Sequence, residues 1–508
     1  MIKFFLTFSI RILFILCVFS HNSVTAELPD LGSSASGDLS IYDERILGSQ
    51  IYRQIIQSDV LLDDAEATDY LKQKLKQIIK SGTKQKLITG STLSLINQFD
   101  VFLIKDSMIN AFALPGAKIG VNVGLFLGVD SEGQLMSVLS HELAHITQRH
   151  ISRMYGNRKD SSALMMAAAL LSAMAISSSN TDAALGLMTF GQGAAIQNKL
   201  IFSREAEHEA DRVGLKFLIS GGFEPLEMIK MLETLNRANF LAGQTPSWFS
   251  SHPMNFERIA EIKSRISFEN KKEKKPIQDQ GEVYRWIRSR LKEVNNYGSV
   301  DNLKTKQIPN ERLLETNSSE ELYGLFWRSL FDKKYKTSSM ILTTLERKIQ
   351  SSANKYDLKP MFFLAKATLE NRLTNYSNSI KVIKKTLSVN SKHPSKRALL
   401  RLLLKNYIGK KQFFLADDVA EVILRQWPKD FWVWSRRAEI AENLGLRTRA
   451  HIYSAESYIA MHKWYLAIEQ LKIAKTDKEL DFITLSKVDS RLKEIEKTFR
   501  RSVNFSNR

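Results

Sequence analysis

The sequence predicts a mainly α chain of the α+β class, in which an N-terminal domain with a small β-sheet is followed by an all-helical solenoid. Three observations predict it. One short stretch alternates apolar and small residues, helical periodicity fills most of the remainder, and three prolines recur at one fixed interval near the C-terminal end. At 508 residues the chain is longer than one hydrophobic core usually organises. Its composition, 44% hydrophobic and 25% charged, is that of a folded protein.

The first element is a leader. Met1 to Ala26 has Lys3 near its start, an apolar core from Ile12 to Phe19 and the ending Val24-Thr25-Ala26. This is the pattern of a signal peptide over residues 1–26, cleaved after Ala26, and an exported chain is expected. Arg11 interrupts the apolar stretch, which is short for a membrane span. The only cysteine, Cys17, lies inside this leader and follows Leu16 rather than the small residue that lipid attachment requires. The mature chain then holds no disulfide and no thiol nucleophile, so other chemistry must carry any activity. Cleavage removes Lys3 and Arg11 from a formal net charge of +19, leaving the protein basic. Peripheral contact with anionic lipid and the bias of a lysine-rich proteome explain this excess equally well. No clustered arginine and aromatic pattern points to nucleic acid.

Residues 27–268 form the expected N-terminal domain. Pro115-Gly116 signals a turn, after which Ile119, Val121 and Val123 alternate with Gly120, Asn122 and Gly124. The expectation is a hairpin or an edge strand, with an extended substrate pairing along Ile119, Val121 and Val123. Gly133-Gln134-Leu135 opens a helix on which Leu135, Val138, Leu139, Leu143 and Ile146 recur at helical spacing. Residues 163–176 and 183–196 are rich in small and apolar residues but too short to cross a bilayer. They read as a packed helical hairpin, with a flap over the site or a membrane-dipping loop as the functional alternative.

Residues 269–280 contain Lys271-Lys272-Glu273-Lys274-Lys275-Pro276, a charged linker. Beyond it, residues 281–508 read as helices. Pro360, Pro394 and Pro428 are equally spaced at the period of about 34 residues that marks tetratricopeptide repeats. Trp434, Gly445 and Ala450 after Pro428, and Tyr407 and Ala416 after Pro394, stand where that pattern favours them. Other positions miss, so the repeats are degenerate.

The chemistry lies in His141-Glu142-Leu143-Ala144-His145, an H-E-x-x-H pattern. Residues four apart share a helical face, so both imidazoles can reach one ion and Glu142 stands beside them as the catalytic base. A catalytic zinc, one per chain, needs a third protein ligand. Ser203 to Asp211 supplies three candidates, Glu205, Glu207 and Glu209. Glu207 and Asp211 are four apart, so Glu207 can ligate while Asp211 orients a ligand histidine, and this pairing favours Glu207. Glu209 remains the alternative. His252, in Ser251-His252-Pro253, is by its residues alone a loop histidine or a stabiliser of the transition state.

His141 to His145, Asn110-Ala111-Phe112, Pro115-Gly116, the Glu207-His208-Glu209-Ala210-Asp211 segment and Ser251-His252-Pro253 together resemble the HtpX-type gluzincin metallopeptidases. Among these the chain is similar to a periplasmic member built in the same order, from signal peptide through protease domain to tetratricopeptide repeats. The resemblance implies a zincin-like fold and a periplasmic metalloendopeptidase that degrades misfolded or stalled outer-membrane proteins and assists the assembly of others in a chaperone-like way. By the same resemblance its partners are the β-barrel assembly machinery and the lipopolysaccharide translocon, and it sits in the periplasm or peripherally at the outer membrane. It also implies that His252 occupies the fourth zinc position and keeps the enzyme latent. The rival reading is a scaffold or chaperone that works chiefly through its repeats, with proteolysis latent.

Overall fold

The computed structural model describes residues 39–156, 202–242, 248, 252–253, 256–269, 281–295, 314–352, 355–389, 392–477 and 480–506. The leader, the two small-residue stretches at 163–176 and 183–196, and nearly all of the charged linker lie outside the described residues. Among the described residues no helix is long and apolar enough to cross a membrane.

The N-terminal half opens with α1 (Ile41–Gln57) and α2 (Ala65–Lys84), each started by a side chain that accepts a backbone N–H: Ser40 from Asp43 and Asp64 from Ala67. Such caps satisfy donors that the first helical turn leaves unpaired. A 3₁₀ turn at Gly90–Gln98 leads into β1 (Asp100–Ile104), β2 (Ala111–Leu114) and β3 (Lys118–Asn122). The helices α3 (Val123–Gly128), α4 (Glu132–Thr147), α5 (His150–Gly156), α6 (Arg204–Ser220), α7 (Leu226–Ala242) and α8 (Phe256–Glu269) complete this half.

The sheet has the order β1-β3-β2, with β1 parallel and β2 antiparallel to β3. This corrects the substrate-strand expectation. Ile119 and Val121 belong to the central strand, hydrogen-bonded on both sides, and Val123 opens α3, so none of the three lies on a free edge. The physical reason is that alternation marks a strand but not its neighbours, and β3 pairs on both sides; Gly120 leaves room for the Phe112 ring to lie across it, where a Cβ would stand 2.4 Å from that ring. The outer strands are β1 and β2; the far side of β1 is partly paired by the segment around Leu61, which bonds to Leu103 and Lys105, so among the described residues the freer edge is β2. Asn122 donates its N–H to the Asn110 carbonyl at 3.0 Å, which makes 110/122, 112/120 and 114/118 the hydrogen-bonded pairs. Ala111 and Ala113 therefore turn their N–H and C=O groups outward, away from β3.

The C-terminal half is helical throughout: α9 (Glu282–Asn295), α10 (Ser319–Phe331), α11 (Tyr335–Ser351), α12 (Lys355–Arg372), α13 (Tyr376–Val389), α14 (Lys396–Gly409), α15 (Phe413–Gln426), α16 (Phe431–Asn443), α17 (Arg447–Ala460), α18 (Trp464–Lys475) and α19 (Phe482–Ser506). From α9 onward each helix packs chiefly on its neighbour in the chain. Five of the turns share one geometry, with Lys333, Thr374, Lys411, Gly445 or His462 at positive φ. In each, the following N–H reaches back over the turn, as from Lys334 to the Ser329 carbonyl and from Leu446 to that of Ala441. This is the left-handed helix cap that glycine usually provides, here formed mostly by other residues held in place by the packing of the helix pair. The equally spaced prolines are not equivalent in space: Pro360 lies inside α12, whereas Pro394 and Pro428 precede α14 and α16.

One apolar core runs from Leu47 in α1 to Leu369 in α12. Helix α9 is stitched to α3 within it. The Tyr284 hydroxyl contacts the Phe126 and Val129 carbonyls at 3.0 Å each, and Arg288 donates to the Leu127 carbonyl. Farther along, a row of carboxylates at the start of α2 meets arginines of the helical half. Arg290 forks onto Asp64 at 2.6 and 2.9 Å, Arg397 reaches Asp69 at 2.9 Å, and Arg401 reaches Asp63 at 2.9 Å. Part of the chain's excess basic charge is thus used in orienting its two halves.

The contacts between the halves also include Gln73 to the Lys392 carbonyl and Gln57 to that of His462, and nearby histidines are held neutral. Burial lowers His393 to about 4; burial first, then the charges of Arg53, Lys429 and Lys118, lowers His462 to about 4. An unfolded histidine titrates near 6.5, so the stability these residues contribute is complete above that pH and is lost as pH falls through it toward 4. Acidifying from about pH 7 to about pH 4.5 is expected to lower the melting temperature. His462→Phe, which keeps a ring against Tyr52, should flatten that dependence. An unchanged pH profile in the variant would count against this origin.

Candidate metal centre

The site is built where α4 crosses α6. Ser131 caps α4 by accepting the Gln134 N–H at 3.1 Å, and Ser203 caps α6 by accepting that of Ala206 at 3.2 Å. The helices approach closely because residue 214 is glycine; a Cβ there would meet His141 Cα at 3.1 Å. His141 and His145, one turn apart on α4, then face Glu207 and Asp211, one turn apart on α6. All four are buried, and so are Glu142 and His252.

Donor atoms of His141, His145, Glu207 and His252 lie within 4.8 Å of one another. His145 Nε2 is 3.0 Å from His141 Nε2 and 3.4 Å from Glu207 Oε1, and His252 Nδ1 is 3.3 Å from His141 Nε2 and 2.9 Å from Glu207 Oε1. Four N or O ligands about 2.0–2.1 Å from a tetrahedral ion would be separated by roughly 3.3–3.5 Å, so a set of three imidazoles and a carboxylate at these separations suits a metal ion of the transition series with only small adjustments. Both Glu142 carboxylate oxygens are buried and meet only long contacts, with the Ala113 backbone and with His252 Nε2 at 3.4 Å. A carboxylate left so is costly unless another group shares the site.

The surroundings order this cluster. His141 Nδ1 lies 3.1 Å from Asp211 Oδ1. Arg258 of α8, also buried, forks onto Asp211 at 2.6 and 2.8 Å and reaches Glu207 Oε2 at 2.8 Å. His252 is stacked between Trp248 and Phe202, at ring separations of 4.8 and 5.3 Å, and its Nε2 is 3.4 Å from Glu142 Oε1. Phe202 also stacks on His145 at 4.0 Å.

The charges follow from burial and neighbours. Burial raises the Glu142 carboxyl, and the opposing effects of His252 and His141 do not cancel it. For Glu207 burial also pushes upward, but His252, His141 and His145 overcome it and hold the carboxylate well below its ordinary range. Burial would lower His141, yet its contacts with Asp211 and Glu207 raise it to about 9. His145 is lowered well below its usual value, chiefly by burial. Two adjacent carboxyls thus have opposite tendencies, one suited to exchanging a proton and one to staying charged.

Glu209, the alternative ligand, points elsewhere: its carboxylate meets His150 at 3.0 Å and Arg153 at 2.7 Å. Glu205 is exposed. Sequence reasoning missed Arg258, Trp248, Phe202 and His150. For Arg258 the available signal was the buried acidic pair Glu207 and Asp211, which demands a cation; stacking partners such as Trp248 and Phe202 leave no comparable mark.

Residues 71–266 match the family model described as peptidase family M48. The match covers about two-fifths of the chain and contains every residue of the buried cluster. An M48 metalloprotease domain implies a metal, and the buried cluster lies within it. The beta-barrel assembly-enhancing protease of Escherichia coli is 31% identical over 240 residues, 47% of each chain, so the match spans about half the length of that relative. The Yersinia pestis protein of the same name is 25% identical over 472 residues, covering 92% of this chain and 91% of that one. The mitochondrial metalloendopeptidase OMA1 of Schizosaccharomyces pombe is 27% identical over 228 residues, 44% of this chain and 61% of its own. The helical array follows the M48 domain, and relatives of this kind suggest a bacterial envelope location.

Proposed function

We propose that this chain is a periplasmic zinc-dependent endopeptidase and chaperone-like assembly factor that removes misfolded or stalled outer-membrane proteins. The observation that carries the proposal is the buried His141, His145, Glu207 and His252 cluster with Glu142 beside it. His141, His145 and Glu207 would hold the ion, Asp211 would orient His141, and Glu142 would serve as catalytic base. Bound zinc would lower the pKa of water and polarise the scissile carbonyl. Glu142, its carboxyl raised by burial, takes a proton from the attacking water and passes it to the leaving amine. An extended substrate adds to the outward N–H and C=O groups of Ala111 and Ala113 on β2, beside Glu142, which gives broad sequence tolerance.

The substrate class rests on the relatives' name, beta-barrel assembly-enhancing protease. The proposed precursor carries a signal peptide at 1–26, a protease domain at 27–268, a linker at 269–280 and degenerate tetratricopeptide repeats at 281–508. The repeats would bring the β-barrel assembly machinery and the lipopolysaccharide translocon. Metal analysis of the purified chain should give one zinc, and Glu207→Gln should lower that occupancy because an amide is a poorer ligand than a carboxylate. Full occupancy in the variant, with Glu209→Gln losing metal, would move the ligand to Glu209.

His252 favours a latent resting state. Its imidazole, lying between Glu207 and Glu142 and clamped by Trp248 and Phe202, fills the place where water and substrate must enter. His252→Ala is expected to raise cleavage of an unfolded model protein. Lowered cleavage would instead assign His252 to transition-state stabilisation and end the latency reading.

A further inference from the structure

His141 finds its orienting carboxylate directly, in Asp211, but among the described residues no carboxylate is paired in the same way with His145 Nδ1. The atom found there is Nδ1 of His150, at 2.8 Å. His150 is buried, and its other nitrogen, Nε2, is 3.0 Å from Glu209 Oε2, which Arg153 holds from the far side at 2.7 Å. The arrangement depends on a break in the chain. On an uninterrupted helix residues 145 and 150 would point roughly 140° apart. Helix α4 instead ends at Thr147, Arg149 takes a φ of 55°, and α5 starts at His150. The Arg149 side chain is anchored to Glu44 of α1 at 2.7 and 2.9 Å, which fixes the turn and brings His150 back beneath His145.

We infer that His150 and Glu209 form a relay that sets the tautomer and ring orientation of His145. The proton placement follows from His145 Nε2 facing the ion. A His145 that presents the Nε2 lone pair to an ion carries its proton on Nδ1 and donates it to His150 Nδ1. His150 then carries its own proton on Nε2 and donates it to the Glu209 carboxylate. An imidazole is interposed because Glu209, two residues past Glu207 and so on another face of α6, is partly exposed and meets His150 and Arg153 instead of His145. His150 is a positioning residue: it touches a ligand, not the reacting atoms. Groups of this kind typically change metal affinity by about 10- to 100-fold when removed.

The inference rests on His145 being a metal ligand, and the test separates the two claims. Zinc affinity of the full chain is measured by competition with a chromophoric chelator, and the cobalt-loaded protein is compared by its visible absorption. His145→Ala should lose stoichiometric binding. If it binds zinc as the unaltered chain does, the metal-site reading fails. His150→Leu should weaken zinc by about 10- to 100-fold and shift the cobalt bands. His150→Asn, whose amide oxygen can accept from His145 Nδ1, should recover most of that loss. Glu209→Gln, at a partly exposed position that tolerates the change, should give a smaller weakening in the same direction. Unchanged affinity in both His150→Leu and Glu209→Gln, with His145→Ala deficient, overturns the relay. Equal loss in His150→Leu and His150→Asn also overturns it, since ring volume rather than the hydrogen bond would then be responsible.

Discussion

Glu142→Gln is expected to reduce peptide cleavage by about 10²- to 10⁴-fold, the contribution of a positioned general base, while folding and zinc content stay at their unaltered levels. The separation follows from geometry. The donor atoms of the cluster come from His141, His145, Glu207 and His252, whereas Glu142 contributes none of them and stands 3.4 Å from His252 Nε2. Replacing one carboxylate oxygen by an amide removes the proton acceptor without changing side-chain volume. It also removes a buried charge that is only weakly contacted, so the melting temperature should hold or rise. The measurement is cleavage of an unfolded model protein by both forms, with zinc assayed on the same samples. Turnover near the unaltered rate would end the proposed mechanism, and loss of zinc would reassign Glu142 to the ligand set.

Arg258→Met is expected to destabilise the metal-free protein by about 3–5 kcal/mol, the usual cost of stranding a buried charge. Arg258 and Asp211 are both almost wholly inaccessible, and the fork between them is bidentate at 2.6 and 2.8 Å. The third guanidinium contact, 2.8 Å from Glu207, makes one arginine the counter-charge of two buried carboxylates. Removing it should raise the pKa of Asp211 and turn His141 away from the cluster, so zinc should bind more weakly as well. Arg258→Lys keeps the charge but not the planar fork and should fall between the two. Chemical unfolding of the three metal-free proteins is the check. A loss below about 1 kcal/mol in the methionine variant would show that the pair is not isolated from solvent in the way its burial indicates.

Part of this site was legible in the sequence because its logic is local. His141 and His145, or Glu207 and Asp211, are paired by the pitch of a helix, and one turn of spacing suffices to predict a shared face. Arg258 and His150 were not legible for different reasons. Arg258 is one of many basic residues in a basic chain, and only the packing of α8 against α6 distinguishes it. His150 stands five residues past His145, a spacing that shares no face on one helix, and the left-handed turn at Arg149 that redirects it has no glycine to announce it. The strand was read with the right elements and the wrong position, since alternation reports which residues form a strand but not which neighbours pair with it.

The sequence by itself determined the local half of this protein: the helices, the four-residue spacing of the candidate ligands, the small sheet and the helical C-terminal region. Periodicity and capping are properties of neighbouring residues, so they can be read without knowing the fold. Tertiary structure decided what depends on distant segments meeting. It gave the open edge to β2, inserted His252 between Glu207 and Glu142, and supplied Arg258 and His150 to the two sides of the cluster. It also drew α9 to α12 into the core of the N-terminal half. Those outcomes are set by which surfaces must leave water together and which buried charges must find partners, and neither condition is written in the spacing of residues along one element.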